Sequence, residues 1–196
     1  GDDLYQVDDA GDVVDEAFAG SGGTDTVQGT ISIDLTDTAR FKGAVERVVL
    51  QQGYAGLNAT GNALANVITG NAYGNFINGK GGNDILSGGL GVDRFVFDTA
   101  LNALTNVDTI VDFSVPDDTI RLDDAIFTLA GAPGTLAATL FKNTASGAVD
   151  ADDRIIYNAA TGALIYDSNG SGAGGATQFA SLSAGLAMTH KDFVVF

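Results

Sequence analysis

The sequence predicts an all-β fold built around a short stack of repeats, and three observations carry that reading. Gly61, Gly70, Gly79 and Gly88 recur every nine residues and open the segments GNALANVIT, GNAYGNFIN, GKGGNDILS and GGLGVDRFV. The sixth position of each unit is Asn66, Asn75, Asp84 and Asp93, and the eighth is Ile68, Ile77, Leu86 and Phe95. A polar turn thus alternates with a very short strand. One apolar residue per unit is too few for a helical stripe or an ordinary sandwich strand, so the units must bury that residue by stacking on one another. Composition agrees: the chain has 27 glycines against 2 prolines, and of its 25 acidic residues only Glu16 and Glu46 are glutamates. Aspartate is a poor helix former, suits turns, and holds a carboxylate close to the backbone, as hard-cation loops require.

Residues 1–60 read as extended strands and glycine-rich turns. LYQVDDAGDVVDEA predicts a hairpin about Asp9 to Gly11, and TDTVQGTISIDL alternates polar with apolar residues. Gly1 to Tyr5 reads as the tail of a further unit, with Asp3 in the sixth position and Tyr5 in the eighth, which predicts repeats upstream and makes Asp3 half of a site.

The units over 61–97 resemble the G-G-x-G-x-D-x-U-x nonapeptide of RTX (repeats-in-toxin, hemolysin-type) calcium-binding proteins, most closely in GKGGNDILS and GGLGVDRFV. The resemblance implies a short right-handed parallel β-roll, two units to a turn, with calcium between loops two units apart. Carbonyls and position-six side chains are the ligands in that family. Carried over, one site would use Asn62, Leu64 and Asn66 with Gly79, Gly81 and Asp84, and another Asn71, Tyr73 and Asn75 with Gly88, Leu90 and Asp93. Each pairs an amide with a carboxylate where the family has two carboxylates, so both are expected to be weak, or empty, since ligand charge tunes calcium affinity. Lys80, Gly82 and Asp84, or Gly89, Gly91 and Asp93, completed by Asp98, Asp108 or Asp112, form sites with an intact first half. The stacked carboxylates repel one another, so calcium binding and folding are expected to be one event.

Past Phe97 the period is lost. DTIVDF and DDTIRL resemble the segment that caps the roll in secreted RTX proteins, and Asp118 joins Asp108 and Asp112 as a ligand or turn anchor. RIIYNAATGALIYD predicts a hairpin turning at Ala-Thr-Gly. Asp167, Asn169, Ser171, Gly172 and Gln178 echo an EF-hand loop, but Gln178 stands where the bidentate glutamate belongs, and a glycine-rich turn is the simpler reading. Gly170, Gly172 and Gly175 have dinucleotide-loop spacing yet follow a hairpin and open no helix. The chain therefore divides into 1–60, a β region beginning in a truncated repeat; 61–97, the calcium roll; and 98–196, a capping β region.

Several functions lack material. A net charge of -16 disfavours nucleic acid and anionic membranes, and no apolar run approaches the roughly 18 residues of a spanning helix. Without cysteine there is no disulfide framework, thiolate zinc site or cysteine nucleophile, and His190 is the single histidine, read as a partly exposed surface residue. The chain is thus read as no enzyme but as the calcium-binding secretion and folding module of a larger extracellular bacterial protein. Asp192 to Phe196, an acid before an apolar run, resembles a C-terminal type I secretion signal, which implies the secretion machinery as a partner. The alternative is a carbohydrate or cell-surface binding module whose partner is a surface polysaccharide, with Tyr54 and Tyr73 as its aromatics.

Overall fold

A turn followed by a three-residue strand cannot fold alone, and in the computed structural model, which describes residues 1–18, 22–170 and 174–196, these strands build two sheets around one core. The first sheet runs Leu4–Val7, Thr26–Gly29, Arg47–Leu50, Val67–Thr69, Ile85–Ser87, Asp108–Ile110 and Ala176–Ser181, each strand parallel to the next. The second runs Ile33–Asp34, Ala59–Thr60, Phe76–Asn78, Arg94–Phe97, Thr119–Leu122 and Phe193–Val195, again all parallel. From Thr26 to Leu122 the chain alternates between the two sheets, so it describes a parallel β-solenoid of the β-roll type.

Register explains how so few apolar residues make a core. In the first sheet Val27, Val48, Ile68, Leu86 and Ile110 lie directly opposite one another, and in the second Ala59, Ile77, Phe95, Ile120 and Phe193 do the same. All ten are buried. Each inward side chain packs on its equivalents above and below, about 4.8 Å away, so a unit with one apolar residue is buried by its neighbours rather than by its own sequence.

The stack continues past both ends of the repeat. DTIVDF and DDTIRL supply Asp108–Ile110 and Thr119–Leu122, which have parallel partners on both sides and carry the stack beyond the last repeat. The hairpin expected about Asp9 to Gly11 does not form. There the N–H groups of Asp8 and Asp9 both donate to Asp12 Oδ2, and that of Gly11 to Asp9 Oδ1, making a tight polar corner. The corner sends Val14–Glu16 out to pair in parallel with Phe41–Gly43, while Leu4–Val7 pairs in parallel with Thr26–Gly29.

Toward the C-terminus antiparallel pairs join the parallel ones. Ile155–Tyr157 and Ala163–Asp167 form the hairpin the sequence predicts, turning through Gly162 at φ 82°, and Ala163–Asp167 then pairs with Ala176–Ser181. Phe97, Phe127, Tyr166 and Phe179 fill the space beneath, with ring centroids 5.0 to 5.2 Å apart in edge-to-face contacts. Ser171 and Gly172 of the EF-hand echo, and with them the dinucleotide spacing, lie outside the described residues. The Gln178 amide donates to Ala180 O and Ser181 Oγ. His190 begins a half-buried 3-10 turn, His190–Asp192. Among the described residues no helix is long and apolar enough to cross a membrane.

Candidate metal centre

The four repeat loops stack in two pairs, 61–66 under 79–84 on one side of the roll and 70–75 under 88–93 on the other, and their backbones fall into two kinds. In loops 79–84 and 88–93, Lys80, Gly82, Gly89 and Gly91 adopt φ of 69°, 115°, 92° and 116°. These left-handed positions bring each loop onto the loop one turn before it. A Cβ at Gly82 would collide with Leu64 O, and one at Gly89 with Asn71 O, so glycine is required by approach as well as by φ. Loops 61–66 and 70–75 contain no residue at positive φ.

Position six builds a ladder up each side of the roll. The Asn66 N–H donates to Asp84 Oδ1 (2.7 Å) and the Asp84 N–H to Asp108 Oδ1 (3.1 Å). On the other side the Asn75 N–H donates to Asp93 Oδ1 (2.8 Å) and the Asp93 N–H to Asp118 Oδ1 (2.9 Å). The same ladder runs below the repeat, where the Asp3 N–H donates to Asp25 Oδ1 (2.9 Å) and the Asp25 N–H to Glu46 Oε2 (2.9 Å). Asp3 therefore does occupy a position-six place. Asp25 and Glu46 were not picked out by the sequence reading, although each follows the previous rung by about one turn.

On Asp84 and Asp93 the ladder bond uses one carboxylate oxygen and leaves the other, whereas Asp118 Oδ2 accepts the Ser114 N–H (2.9 Å). Asp84 Oδ2 and Asp93 Oδ2 are buried and, among the described residues, accept no hydrogen bond. They face inward onto their own loops, since a Cβ at Gly79 would strike Asp84 Oδ2 and one at Gly88 would strike Asp93 Oδ2. A buried carboxylate oxygen without a donor costs several kcal/mol unless it is protonated or meets a cation. Burial accordingly pushes Asp93 up to about 6. Burial, reinforced by mutual repulsion with Asp108, raises Asp84 well above the carboxylate range, and burial raises Asp108 and Asp118 in turn. Two oxygen-rich, glycine-cradled loops ending in such carboxylates fit a hard cation that prefers oxygen ligands, as calcium does.

The remaining expected ligands are placed as follows. Leu64, Tyr73 and Leu90 expose their side chains and offer only backbone. Asn62 O accepts from the Gly81 N–H, and Asn71 O from the Leu90 N–H, so both carbonyls already carry hydrogen bonds. Lys80 O accepts from the Thr99 hydroxyl, and the Lys80 ammonium holds Asp98 Oδ2 at 2.8 Å, leaving Asp98 Oδ1 buried without a partner. Asp112 is a turn anchor: its two oxygens accept from the Gly88 and Gly89 N–H groups and from the Ser87 hydroxyl. A separate carboxylate group, Asp3, Glu16 and Asp25, has one oxygen from each residue within 4.8 Å of the others. Glu16 enters it from the strand Val14–Glu16 and accepts from the Tyr5 hydroxyl, a bond that helps push the phenol up to about 12.

Residues 60–95 match the family model of the RTX calcium-binding nonapeptide repeat, in four copies. No curated protein matches the chain. The repeat family binds calcium, and two of the four matched loops, 79–84 and 88–93, end in the buried, unpartnered carboxylate oxygens of Asp84 and Asp93. The chain therefore carries four copies of the RTX calcium-binding nonapeptide repeat set within a longer parallel β-solenoid, an arrangement that fits an RTX-type domain.

Proposed function

We propose that this module folds on binding calcium and serves a larger protein that is exported before it folds. The observation that carries the reading is the pair of buried oxygens, Asp84 Oδ2 and Asp93 Oδ2, which accept no hydrogen bond within glycine-framed loops. Asp84 with Asp108, and Asp93 with Asp118, would hold the ions together with backbone carbonyls of loops 79–84 and 88–93. Calcium supplies positive charge and several oxygen-coordinating positions there, replacing the donors that the loops lack. Asp84 and Asp93 orient the loops through the N–H groups of Asn66 and Asn75 and present their second oxygen to the ion. Asp98 and Asp112, engaged by Lys80 and by backbone N–H groups, hold the loop ends in place.

At the low free calcium of a cytosol these carboxylates oppose stacking. A chain of net charge -16 would then stay extended, which suits export. The sequence from Asp192 to Phe196 fits a signal read in that extended state. Once the chain is folded, Phe193 and Val195 are buried as a closing strand, so the segment is accessible before folding and hidden after it. RTX repeats occur in secreted bacterial proteins, and an extracellular site of action, with calcium at roughly 0.1 to 1 mM, follows from the same logic. A polysaccharide-binding role is the second reading. It rests on Tyr54 and Tyr73, which are 47% and 42% exposed and whose backbones Asn71 joins, donating to Tyr54 O and accepting the Tyr73 N–H.

Circular dichroism of the chain in chelator is expected to show loss of much of the β signal, restored by calcium in the range just given and not by equal magnesium. Magnesium is smaller and dehydrates reluctantly. A fully folded spectrum in chelator, unchanged by calcium, would reject the reading.

A further inference from the structure

Loops 61–66 and 70–75 do with amides what loops 79–84 and 88–93 leave to a cation. Asn66 Oδ1 accepts the N–H of Asn62 (2.8 Å), and Asn75 Oδ1 that of Asn71 (2.9 Å). In the next turn the equivalent N–H groups have been redirected: Lys80 N–H goes to Asn78 Oδ1 and Gly89 N–H to Asp112 Oδ2, which is why Asp84 Oδ2 and Asp93 Oδ2 have no donor.

The amide nitrogens complete the difference. Asn66 Nδ2 reaches back one turn and donates to Val45 O (2.9 Å), and Asn75 Nδ2 to Leu57 O (2.7 Å). The position-two asparagines do likewise, Asn62 Nδ2 to Val45 O (3.0 Å) and Asn71 Nδ2 to Tyr54 O (2.7 Å) and Gln51 O (3.1 Å). Their oxygens close the loops, accepting the N–H of Leu64 and of Tyr73. The orientation of Asn66 and of Asn75 is fixed by both neighbours at once, because a flipped amide would set oxygen against a carbonyl and nitrogen against an N–H. Asn66, Asn71 and Asn75 are all buried. Carbonyl oxygens that would otherwise look for a cation are thus bound by a neutral donor that is part of the chain. An aspartate in the same place would press a second acceptor against them.

We propose that Asn66 and Asn75, backed by Asn62 and Asn71, stand in for ions, so that the turns from Val45 to Asn78 hold together without calcium. They then form the preformed edge on which the calcium-dependent strands Ile85–Ser87 and Arg94–Phe97 assemble. The inference rests on the calcium-folding reading above and adds where along the roll the calcium requirement begins. It also assigns the departures from the family's position-six carboxylate a purpose: they exclude the ion from one stretch of the solenoid.

Hydrogen exchange of the full chain, read by mass spectrometry in chelator and in calcium, tests it. In chelator, amides of Val67–Thr69 and Phe76–Asn78 are expected to exchange at least about 100-fold more slowly than those of Ile85–Ser87 and Arg94–Phe97, and the contrast should vanish in calcium. Exchange of all four strands at the unfolded rate in chelator overturns the proposal. Protection of all four in chelator would instead sink the calcium-folding reading. The inference is then decided by the Asn66→Asp/Asn75→Asp variant, counted for bound calcium by native mass spectrometry and followed by the same exchange. At least one extra ion per chain, with protection of Val67–Thr69 now dependent on calcium, supports the asparagine substitution for ions; an unchanged ion count and unchanged protection overturn it.

Discussion

An Asp84→Ala/Asp93→Ala variant is expected to need at least about tenfold more calcium to reach half-folding than the wild-type chain, since calcium affinity follows the number and charge of its ligands. Removing both carboxylates takes away the two buried oxygens that accept no hydrogen bond, and also the acceptors for the Asn66 and Asn75 N–H groups. Asp150→Ala is the control. Asp150 is exposed, and among the described residues its side chain accepts only the N–H of Asp152, so this change is expected to move the midpoint by less than about twofold. The two measurements together separate ligation from bulk charge. If Asp150→Ala shifts the calcium midpoint as much per charge removed, the ions are answering net charge and not these loops.

Acidity should act in opposite directions with and without calcium. Burial raises Asp84, Asp93, Asp108 and Asp118 in the folded chain, Asp93 to about 6, against about 4 for an unfolded aspartate. In chelator the folded turns therefore bind more protons than the unfolded chain. Their contribution is fully present below about pH 4 and is lost as the pH rises through about 6 and above. Asp12 and Asp15 oppose this. Their carboxyls are held low, Asp12 by the N–H groups of Asp9 and Asp8 and Asp15 by Lys42, so what they contribute is lost only as the pH falls through that lower range. In calcium the slope reverses, because each ion must displace the protons that the carboxylates hold. Between about pH 5 and pH 7 the calcium midpoint is expected to fall by up to about tenfold per pH unit for each proton released. In chelator, β signal should be gained on acidification from about pH 8 to pH 5. A calcium midpoint independent of pH across that window would show that the ion displaces no protons from Asp84 and Asp93.

The part of the fold legible in the sequence was the part with a fixed period. Over 61–97 one turn is 18 residues, and the inward residues Ile68, Ile77, Leu86 and Phe95 and the rungs Asn66, Asn75, Asp84 and Asp93 all follow from counting. Outside it the turns have the same architecture at other lengths. Asp3 to Asp25 is 22 residues, Asp25 to Glu46 is 21, Asp84 to Asp108 is 24 and Asp93 to Asp118 is 25. A stack tolerates extra residues in its loops, which bulge outward without disturbing the pairing of strands, so periodicity disappears from the sequence while the register persists in space. That is why 1–60 reads as local hairpins. Parallel partners about 20 residues apart leave no short-range signature, whereas the antiparallel hairpin at Asn158 to Gly162 does and was found. The asparagines were legible as departures from a carboxylate pattern, but their amide contacts to Val45, Tyr54 and Leu57 were not, because those residues lie in the turn before the recognisable repeat.

The central claim is that calcium sits against Asp84 and Asp93 in loops 79–84 and 88–93. Anomalous scattering from a crystal grown in calcium addresses it most directly. The account predicts calcium peaks within bonding distance of Asp84 Oδ2 and Asp93 Oδ2. Those two oxygens contacting only water or protein, with calcium elsewhere or absent, would contradict it.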